Sequence, residues 1–300
     1  MILIDNRNST DPYLNLAIEE YLIRNLQTGD EDYLLVYINE PSIVMGKNQS
    51  IYKEVNFEFL RNGQLKLSRR LSGGGTVYHD AGNLNFSIIS KFAESKINNY
   101  RYFNQRVVDA LGKAGVKAEM DHWNNIICRG KKISGNAQFT NRKNILSHGT
   151  ILLNADLPVL RACLKDNPFK VESKAVSSIK SAVINLQEVT TKFASTAELK
   201  EFLLQELDVK QTHPWTIADW AEIEKLRDEN FSTFEWIYGR SPHTKIEKQG
   251  AIIDVEDGKV VFTVSNLKLP DLKGEKYEYA GLKKILMQHT NGAAMLKQIF

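Results

Sequence analysis

Three strand-like runs lie close together between residues 124 and 155, and they constrain the fold more than any other feature of the chain. The runs are NNIICRG, KKISGNAQFT and ILSHGTILLNA, with turn residues Gly130 and Asn141 between them. Connections this short join antiparallel neighbours, whereas parallel strands need a crossover of a dozen or more residues. The sequence therefore predicts an antiparallel meander in this region.

Helical patterns precede and follow these runs. Asp11 and Pro12 are a typical N-cap and first-turn pair, and apolar residues at helical spacing continue to Leu22. Further helices are predicted at about 100–115, 156–164, 195–207 and 216–230. DYLLVYIN and SIVMG predict a hairpin or a strand pair, and GTVYHDAGNLNFSIIS alternates like a strand. Because hairpin strands are mixed with helices in runs, the fold class is α+β rather than a doubly wound parallel sheet.

A break near residue 243 predicts two domains. Gly239, Ser241 and Pro242 interrupt the chain, and AIIDV, EDG and KVVFTV then give a strong hairpin pattern. We predict a main domain over residues 1–243 and a small accessory domain over 244–300. A segment of roughly 55 residues is small for a core of its own, so the second domain is expected to dock on the first.

Composition limits the classes of function. The chain has 39 Lys and Arg against 36 Asp and Glu, and this balance argues against a nucleic-acid partner, because domains that bind nucleic acid cluster their basic residues. Cys128 and Cys163 are too few for a disulfide scaffold or a cysteine zinc site, which favours a reducing cytoplasm. The N-terminus resembles neither a signal peptide nor a transit peptide, and no run approaches the roughly 20 apolar residues of a membrane span. We therefore expect a cytoplasmic protein without a membrane partner.

The stretch RRLSGGGTVYHDAGN at 69–83 combines fixed positive charge with a flexible backbone. Glycines let successive N–H groups turn toward one centre, and such a nest binds anions. Arg69 or Arg70 adds a planar fork suited to phosphate, and Thr76 adds a hydroxyl donor. The stretch matches neither the P-loop nor the dinucleotide-binding motif. By itself it predicts a phosphate cradle or, equally, a mobile glycine-rich turn.

The segment GKKISGNAQ at 130–138 offers a second cationic group. On a strand, Lys132 and Ser134 share one face, and a lysine on the inner face of a buried sheet needs an anion. The alternative is a turn with two solvated lysines. The neighbouring small-residue turn at 134–136 favours the first interpretation, because two such turns with an arginine and a lysine form a better anion site than either turn alone.

Other chemistry is less favoured. His79 and His148 lie outside any HxH, HExxH or CxxC pattern, so no metal ligand is predicted. Ser72 lacks the GxSxG context of a nucleophile, and Cys163 in LPVLRACLK is typical of a small core residue. Acidic residues are rare near the glycines, which favours charge stabilisation by donors and cations over acid–base catalysis.

Several motifs occur in the same order as in the lipoate-protein ligases, and the chain is similar to that family from about Leu14 to Pro242. The motifs are RRLSGGGTVYHDAGNLNFS, WNNIICRGKKISGNAQ, SHGTILLNADL, SKAVSSIKSAVINL and FEWIYGRSP. The tail resembles the accessory domain of two-domain members. The resemblance implies a catalytic domain related to biotin protein ligases, in which helices flank a mixed, mainly antiparallel β-sheet, and a small α+β C-terminal domain.

The resemblance also implies a two-step reaction. Lipoate and MgATP would give lipoyl-adenylate and pyrophosphate, and a lysine amine of an acceptor domain would then attack the adenylate to form an amide. ATP and Mg²⁺ would be the cofactors. The partners would be lipoyl acceptor domains of the E2 type and of the glycine-cleavage H type, with no nucleic acid or membrane involved.

Mapped residue by residue, the resemblance places Lys132 on both the lipoyl carboxyl oxygen and the adenylate phosphate. Leu71, Val77 and Ile133 would line an apolar slot with the first helix. Further candidates are Asp80, Asn83 and Asn125, and no metal ligand is assigned. The nucleotide site would comprise Arg70, as a phosphate ligand, with Gly75, Thr76, Val77, Tyr78 and Lys132, and the lipoate site would comprise Ser72, Gly73, Gly74, His79, Lys132, Gly135 and His148.

The chain departs from the family pattern in two places. Asn124-Asn125 stands where the family usually has Asn-Asp, and Lys180 and Ala182 stand where it has arginines. Either activity is reduced, or phosphates and water hold most of the magnesium. Two alternatives remain on the same scaffold. One is an octanoyl or lipoyl transferase that works through a cysteine thioester without ATP, and the other is a non-catalytic lipoyl-binding homologue.

Overall fold

The computed structural model describes residues 1–27, 29, 31–63 and 65–300. These residues form sixteen strands, ten α-helices, two 3₁₀ turns at Glu94–Lys96 and Leu186–Glu188, and a π-helical turn at Arg227–Phe231. The strands are β1 (Ile2–Ile4), β2 (Tyr33–Tyr37), β3 (Ser42–Met45), β4 (Lys66–Arg69), β5 (Val77–His79), β6 (Asn83–Lys91), β7 (Ala118–Met120), β8 (Ile126–Cys128), β9 (Lys131–Ser134), β10 (Asn136–Thr140), β11 (Asn144–Leu152), β12 (Lys170–Ser173), β13 (Gln211–Thr212), β14 (Thr244–Lys248), β15 (Ala251–Glu256) and β16 (Lys259–Val264). The helices are α1 (Pro12–Asn25), α2 (Ile51–Glu54), α3 (Phe57–Asn62), α4 (Tyr100–Lys113), α5 (Leu157–Cys163), α6 (Thr196–Glu206), α7 (Ile217–Leu226), α8 (Phe234–Ile237), α9 (Tyr279–Leu286) and α10 (Gly292–Ile299).

A six-stranded mixed sheet forms the centre of the main body. Its strands follow the order β10-β11-β6-β2-β1-β13, with antiparallel neighbours from β10 to β2 and parallel neighbours from β2 to β13. Alternate side chains point to opposite faces of a sheet. On one face Phe86 packs with Phe103 of α4 and Leu199 of α6, and on the other face Ile89 packs with Ile18 of α1. The predicted α+β class, with helices on both faces of a mixed sheet, is confirmed.

Helix α1 is buried around most of its circumference. The Asp11 carboxylate accepts from the backbone N–H of Tyr13, and Pro12 occupies the first turn, as the sequence predicts. The main sheet covers one side of the helix, and α7 with the π-helical turn covers another. Asn15 and Glu19 are therefore only 0% and 2% exposed, and polar side chains buried this deeply need partners inside the protein.

Two strand predictions are wrong in detail. Strand β2 lies in the main sheet, whereas β3 is the middle strand of a separate sheet of order β4-β3-β5. The predicted meander also divides, because β9 pairs with β8 in a third sheet while β10 pairs with β11 in the main sheet. The chain changes sheets at Gly135, where a Cβ atom would lie 2.9 Å from Lys132 Nζ. A side chain at this bend would therefore displace the end of the Lys132 side chain.

The C-terminal residues build a four-stranded antiparallel sheet of order β12-β14-β15-β16, on which α9 and α10 pack. The predicted hairpin is confirmed, and its turn contains Asp257 and Gly258 with φ angles of 48° and 72°, which suit a tight hairpin turn. Edge strand β12 comes from before the expected boundary at residue 243, and Tyr52 shares an apolar core with Tyr277. The division into two domains thus stays a prediction. Within the described ranges, every helix is too short or too polar to cross a membrane.

Candidate active site

The glycine loop, residues 71–76, joins β4 to β5 and is braced from inside by Arg70. The guanidinium donates from Nη2 to the carbonyl oxygens of Gly73 and Gly75, both at 2.7 Å, and from Nε to Ser72 Oγ at 3.0 Å. Burial lowers the pKa of Arg70 to about 10, so the group stays charged at neutral pH. A fixed cation therefore sets the conformation of the loop.

Arg69 points to the opposite side of β4. It is 0% exposed, and its Nη atoms donate to the carbonyl oxygens of Gly46, Gln49 and Ile237 at 3.0, 2.7 and 2.7 Å. Of the two arginines that the sequence offers as phosphate ligands, Arg70 is the one that lines the cavity described below. Arg69 instead fastens β4 to two neighbouring segments of backbone.

Close backbone packing also holds the glycine loop. A Cβ atom on Gly46 would collide with the carbonyl oxygen of Gly74, and Gly74 itself has a φ angle of 89°, a region that favours glycine. Gln49 Oε1 accepts from the Gly46 N–H at 2.9 Å and from Thr76 Oγ1 at 2.8 Å. The loop is thus fixed from the β3 side as well as by Arg70.

Two adjoining cavities open beside the glycine loop. The first, of about 280 Å³, reaches into the main body between α1 and the sheet, and we call it the inner arm. The second, of about 630 Å³, lies toward α5, and we call it the outer arm. Both arms are lined by Thr76, Val77, Lys132, Gly135, Thr150, Ser177, Ser178, Ile179 and Ser181. The arms therefore meet at the glycine loop and β9.

Lys132 stands where the two arms meet. Its backbone N–H donates to the carbonyl oxygen of Ala182 at 2.9 Å, and its carbonyl accepts from the N–H of Ile184 at 3.1 Å. These bonds hold β9 in place. Burial lowers the pKa of the lysine ammonium group, and Asp121 opposes that effect. A cation at this junction can contact anionic groups in both arms.

A hydrogen-bonded chain links the wall of the inner arm to the glycine loop. The Glu19 carboxylate accepts from the Tyr37 hydroxyl at 3.2 Å, from the Ser87 hydroxyl of β6 and from His148 Nδ1 at 3.0 Å. His148 Nε2 lies 2.7 Å from Ser72 Oγ, which also accepts from Arg70 Nε. Burial opposes ionisation of Glu19, but His148 and the hydroxyls outweigh it and lower the pKa of the carboxyl group. His148 Nδ1 pairs with Glu19, and Nε2 shares one hydrogen bond with Ser72 Oγ, so each of these groups has a partner.

His79 lies in the wall of the inner arm and is almost fully buried. Its Nδ1 lies 3.0 Å from Nδ2 of Asn39. Burial, together with the nearby charge of Arg70, lowers the pKa of His79 to about 3. The ring is therefore neutral at physiological pH and acts in this site as a hydrogen-bonding group rather than as a cation.

Segment 174–182 lies against the glycine loop through Ser178. The Ser178 hydroxyl accepts from the backbone N–H of Thr76 at 2.8 Å and from Gln49 Nε2 at 3.1 Å, and it donates to the carboxylate of Glu54. The backbone N–H of Ser178 lies 3.3 Å from both oxygens of Glu54. One N–H of the predicted anion nest is therefore paired with a protein hydroxyl in this conformation.

Comparison with known proteins decides the family. Residues 11–208 match the model of the lipoyl protein ligase A/B catalytic domain. A lipoate-protein ligase of Bacillus subtilis is 39% identical over 87% of this chain and 82% of its own length, and lipoate-protein ligase 1 of Staphylococcus aureus is 40% identical over 87% and 82%. The chain belongs to the lipoate-protein ligase family.

Solved structures agree with the assignment of this chain to the lipoate-protein ligase family. A lipoate-protein ligase A bound with ATP has a TM-score of 0.67 and 26% identity over 80% of this chain and 98% of its own. A Thermoplasma acidophilum protein described as a lipoate protein ligase, with bound lipoic acid, has a TM-score of 0.66 and 26% identity over 80% and 97%. A bi-partite ligase of that organism, studied with its E2 lipoyl domain, has a TM-score of 0.67 and 26% identity over 80% and 96%. The biotin/lipoate ligase-like fold and the identity as a ligase enzyme are confirmed.

A carboxylate lies beside Asn125, one of the two positions where we expect this ligase to depart from the family pattern. Asn125 donates from its backbone N–H to Asp121 Oδ1 and from Nδ2 to Asp121 Oδ2, both at 2.8 Å. Asp121 also acts on Lys132, since it raises the pKa of the lysine against the effect of burial. The negative charge that Asn125 lacks is thus present four residues earlier in the chain.

Most of the site residues that the sequence predicts for this ligase line one or both arms, although their contacts with ligands stay predictions. Those in the inner arm alone are Arg70, Gly74, Gly75, His79, Asn125 and His148, Tyr78 lines the outer arm, and Thr76, Val77, Lys132 and Gly135 line both. Four others lie behind or outside the lining found for the described residues, namely Ser72, Gly73, Asp80 and Asn83. Asp80 instead accepts from the backbone N–H groups of Gly82 and Asp156, at 2.8 and 2.7 Å. Leu71 and Ile133 pack in apolar clusters.

Several residues of the site were missed from the sequence. Glu19, Tyr37 and Asn39 belong to the inner arm or its supporting chain, Glu54 lines the outer arm, and Ser178 lines both arms. The sequence contains a signal for Glu19, because Asn15 and Glu19 lie one helical turn apart within the apolar stripe of α1. Loop serines and glutamates carry no comparable signal.

Proposed function

We propose that this ligase activates lipoate with ATP as lipoyl-adenylate and then transfers the lipoyl group to a lysine of an acceptor lipoyl domain. The observation that carries the proposal is the position of Lys132, between the inner arm and an outer arm lined by charged side chains. A lipoate carboxylate and the α-phosphate of ATP would meet at this lysine, one from each arm. The names of the relatives, and the solved structures with lipoic acid or ATP, support this proposal.

The inner arm suits the acyl chain of lipoate. Leu16, Val44 and Val77 contribute apolar walls, and the polar groups are neutral or already paired apart from those near Lys132. Ligand pockets of this kind bury an apolar body and orient it through a few polar contacts. Because the lysine lies where the arms meet, the lipoate carboxylate would stay there and the dithiolane would enter the inner arm.

The outer arm suits the nucleotide. Its lining contains Lys53, Arg161, Lys165 and Lys180 against Glu54 and Asp166, and Lys180 is paired with Asp166. The remaining positive charge favours a triphosphate. Among the residues that the structure describes, no group of three His, Cys, Asp or Glu side chains is placed to hold a metal ion. Mg²⁺ would therefore enter with ATP and keep phosphate oxygens and water as its ligands.

The chemistry needs charge stabilisation more than proton transfer. In the first step a lipoate carboxylate oxygen forms a bond to the α-phosphorus, and the bond to pyrophosphate breaks. Negative charge grows on the phosphate oxygens, where Lys132 and the positive field of Arg70 stabilise it. In the second step the acceptor amine attacks the acyl carbon, loses a proton and expels AMP. Alignment of the lipoate carboxylate and the α-phosphate at one lysine lowers the activation barrier further.

Exchange between pyrophosphate and ATP tests the first step. We expect lipoate-dependent incorporation of labelled pyrophosphate into ATP with the native chain. A transferase would need a cysteine thiolate, but Cys128 and Cys163 are both buried, and burial raises the pKa of Cys163 to about 12. Absence of exchange with intact lipoate binding would contradict the ligase proposal and favour a non-catalytic binder.

The second step is tested on the acceptors themselves. The archaeal ligase studied with its E2 lipoyl domain supports an E2-type acceptor, and the proposal extends to H-type domains. Each purified acceptor is incubated with the ligase, ATP and lipoate, and its mass is measured. Gain of one lipoyl group that disappears when the acceptor lysine is replaced by arginine is the expected result. An unchanged mass for both acceptor types would exclude them as substrates.

A further inference from the structure

The inner arm opens to solvent beside three large apolar side chains. Trp123, together with Val176 and Ile179 of segment 174–182, lines this arm, and the three residues are 57%, 56% and 62% exposed. Other residues of the lining, such as Leu16 and Tyr37, are buried. Exposed apolar groups gathered at the edge of a cavity are typical of a place where a ligand or partner binds. We call these three side chains the apolar rim.

Asn125, two residues after Trp123, adds an accessible hydrogen-bond acceptor to the same arm. Its Nδ2 donates to Asp121 Oδ2 at 2.8 Å. An ionised carboxylate can only accept, so the amide nitrogen faces Asp121 and Oδ1 faces away from it. Asn125 is 8% exposed and lines only the inner arm. Oδ1 has no partner among the residues that the structure describes, yet it is not sealed from solvent, so a group inside the arm can reach it.

Asn125 also lies close to the end of the Lys132 side chain. Strands β8 and β9 are antiparallel neighbours, and just before β8 the carbonyl oxygen of Asn124 accepts from Asn136 Nδ2 at 2.9 Å. Asn125 therefore lies next to Gly135, where a Cβ atom would be 2.9 Å from Lys132 Nζ. The free amide oxygen and the lysine ammonium group are thus neighbours at the junction of the two arms.

We propose that the apolar rim admits the lysine side chain of the acceptor domain, whose methylene stem lies along Trp123 while its amine donates a hydrogen bond to Asn125 Oδ1. This inference rests on the proposed function, since it assumes that an acceptor lysine attacks an acyl group held at Lys132. A lysine side chain has an apolar stem and a polar end. The stem matches the exposed apolar rim, and the N–H groups of the amine match the acceptor that lies next to it.

The contact with Asn125 orients the amine for attack. A neutral amine that donates one N–H to an amide oxygen keeps its lone pair free, and the lone pair forms the bond to the acyl carbon. The bond between that carbon and the phosphate oxygen breaks, and AMP leaves with its electron pair. The proton that the nitrogen loses passes to water, because an amide oxygen is too weak a base to take it. Asn125 therefore orients the nucleophile and takes no part in proton transfer.

Two substitutions test the two parts of this lysine site. Asn125→Leu keeps a similar size without an acceptor, and Trp123→Ala removes the largest side chain of the rim. Ile217→Ala is the control, since Ile217 is 90% exposed and lies outside the lining that the structure describes for either arm. Lipoyl transfer to a purified E2-type domain and ATP–pyrophosphate exchange are measured for each variant. We expect kcat/KM for the domain to fall about tenfold or more in both variants and to stay native in the control, whereas exchange should fall less than about threefold.

The possible failures can be told apart. Native chain that shows no lipoate-dependent exchange would overturn the proposed function and the lysine site together. Native exchange, combined with undiminished transfer in a folded Asn125→Leu variant, would overturn the lysine site alone. Equal losses of exchange and transfer in Trp123→Ala would place the indole against lipoate or ATP and would also overturn it. Circular dichroism and the melting temperature establish that the variants are folded.

A fluorescence measurement needs no variant of the ligase. Trp220 and Trp236 are buried and Trp215 is partly buried, so acrylamide quenches mainly the fluorescence of Trp123. The native ligase with lipoate is titrated, without ATP, with an acceptor domain that contains no tryptophan. We expect the domain to lower the acrylamide quenching constant, and the same domain with its acceptor lysine replaced by alanine to lower it much less. Equal protection by the two domains, or no protection at concentrations above the KM of transfer, would overturn the inference even if both ligase variants failed to fold.

Discussion

Replacement of Glu19 by glutamine tests the buried chain that holds the glycine loop. The new side chain keeps its size and one oxygen but exchanges the other oxygen for an NH₂ group. In the native protein Oε1 accepts from Tyr37 at 3.2 Å and from His148 Nδ1 at 3.1 Å, and Oε2 accepts from the same Nδ1 at 3.0 Å. An amide nitrogen in place of Oε2 would face the ring N–H, so that two donors oppose each other.

When the His148 ring carries a single proton, moving that proton to Nε2 relieves this conflict, and the cost then appears at Ser72. With the proton on Nε2, the ring donates to Ser72 Oγ, which already accepts from Arg70 Nε at 3.0 Å. The hydrogen of the Ser72 hydroxyl loses its acceptor in a buried site. One buried unpaired donor costs about 1 to 3 kcal/mol, and we expect Glu19→Gln to lower the free energy of unfolding by about that amount.

A double-mutant cycle with Ser72→Ala locates the cost. Alanine removes the hydrogen that has lost its acceptor, so the double variant should be more stable than the sum of the single changes by roughly 1 kcal/mol or more. Tyr37→Phe removes a donor to Glu19 without affecting Ser72, and it should therefore be additive with Ser72→Ala. Urea unfolding at neutral pH measures all these variants. Additivity of Glu19→Gln with Ser72→Ala, or native stability of Glu19→Gln, would refute the reasoning.

Four further outcomes are expected. Because the folded state lowers the pKa of Glu19 below its ordinary value of 4.5, its ionised form stabilises the protein above that pH, and the stability gap between native and Glu19→Gln protein should shrink in urea titrations as the pH falls below 4.5. Lys132→Ala should reduce pyrophosphate exchange by about 100- to 1000-fold while circular dichroism stays native; retained exchange would contradict its role. Asp121→Asn removes the charge that raises the pKa of Lys132, so the alkaline limb of the pH profile of kcat/KM should move to lower pH, whereas an unmoved limb would show that Lys132 does not set it. Cys163→Ser should leave exchange unchanged and cost less than about 2 kcal/mol in urea unfolding, since the new hydroxyl can still donate to Leu160 as the thiol does; loss of exchange would favour a thioester mechanism.

The parts of the site whose chemistry is local could be predicted from the sequence. Consecutive glycines and an inward lysine beside a small-residue turn both favour an anion, and residues 74–76 and Lys132 do line one cavity. The sequence could not show whether Arg69 or Arg70 lines the cavity. Neighbours on a strand face opposite sides, but which side meets the cavity depends on the strands and helices packed around β4.

The parts that were missed depend on contacts between distant residues. Glu19 lies 129 positions from His148, and Glu54 lies 124 positions from Ser178. The division of the predicted meander is of the same kind. The short turns predict the two hairpins, but which sheet β9 and β10 each join depends on pairing with distant strands such as β6. A local sequence pattern predicts which kind of partner a buried side chain requires. Which distant residue is that partner depends on the tertiary structure.

The C-terminal sheet bears on the site because its edge strand leads directly into segment 174–182. Strand β12 ends at Ser173, which pairs with Thr244 of β14. Thr244 Oγ1 in turn lies 2.8 Å from Ser50 Oγ, at the start of α2, and α2 carries Glu54, the carboxylate that holds Ser178. The same set of contacts therefore fixes both the beginning of the segment and the group to which it is fastened. Since a four-residue edge strand such as KVES carries hardly any sequence pattern, the link between the C-terminal sheet and the outer arm becomes visible only when the two ends of the chain are seen together.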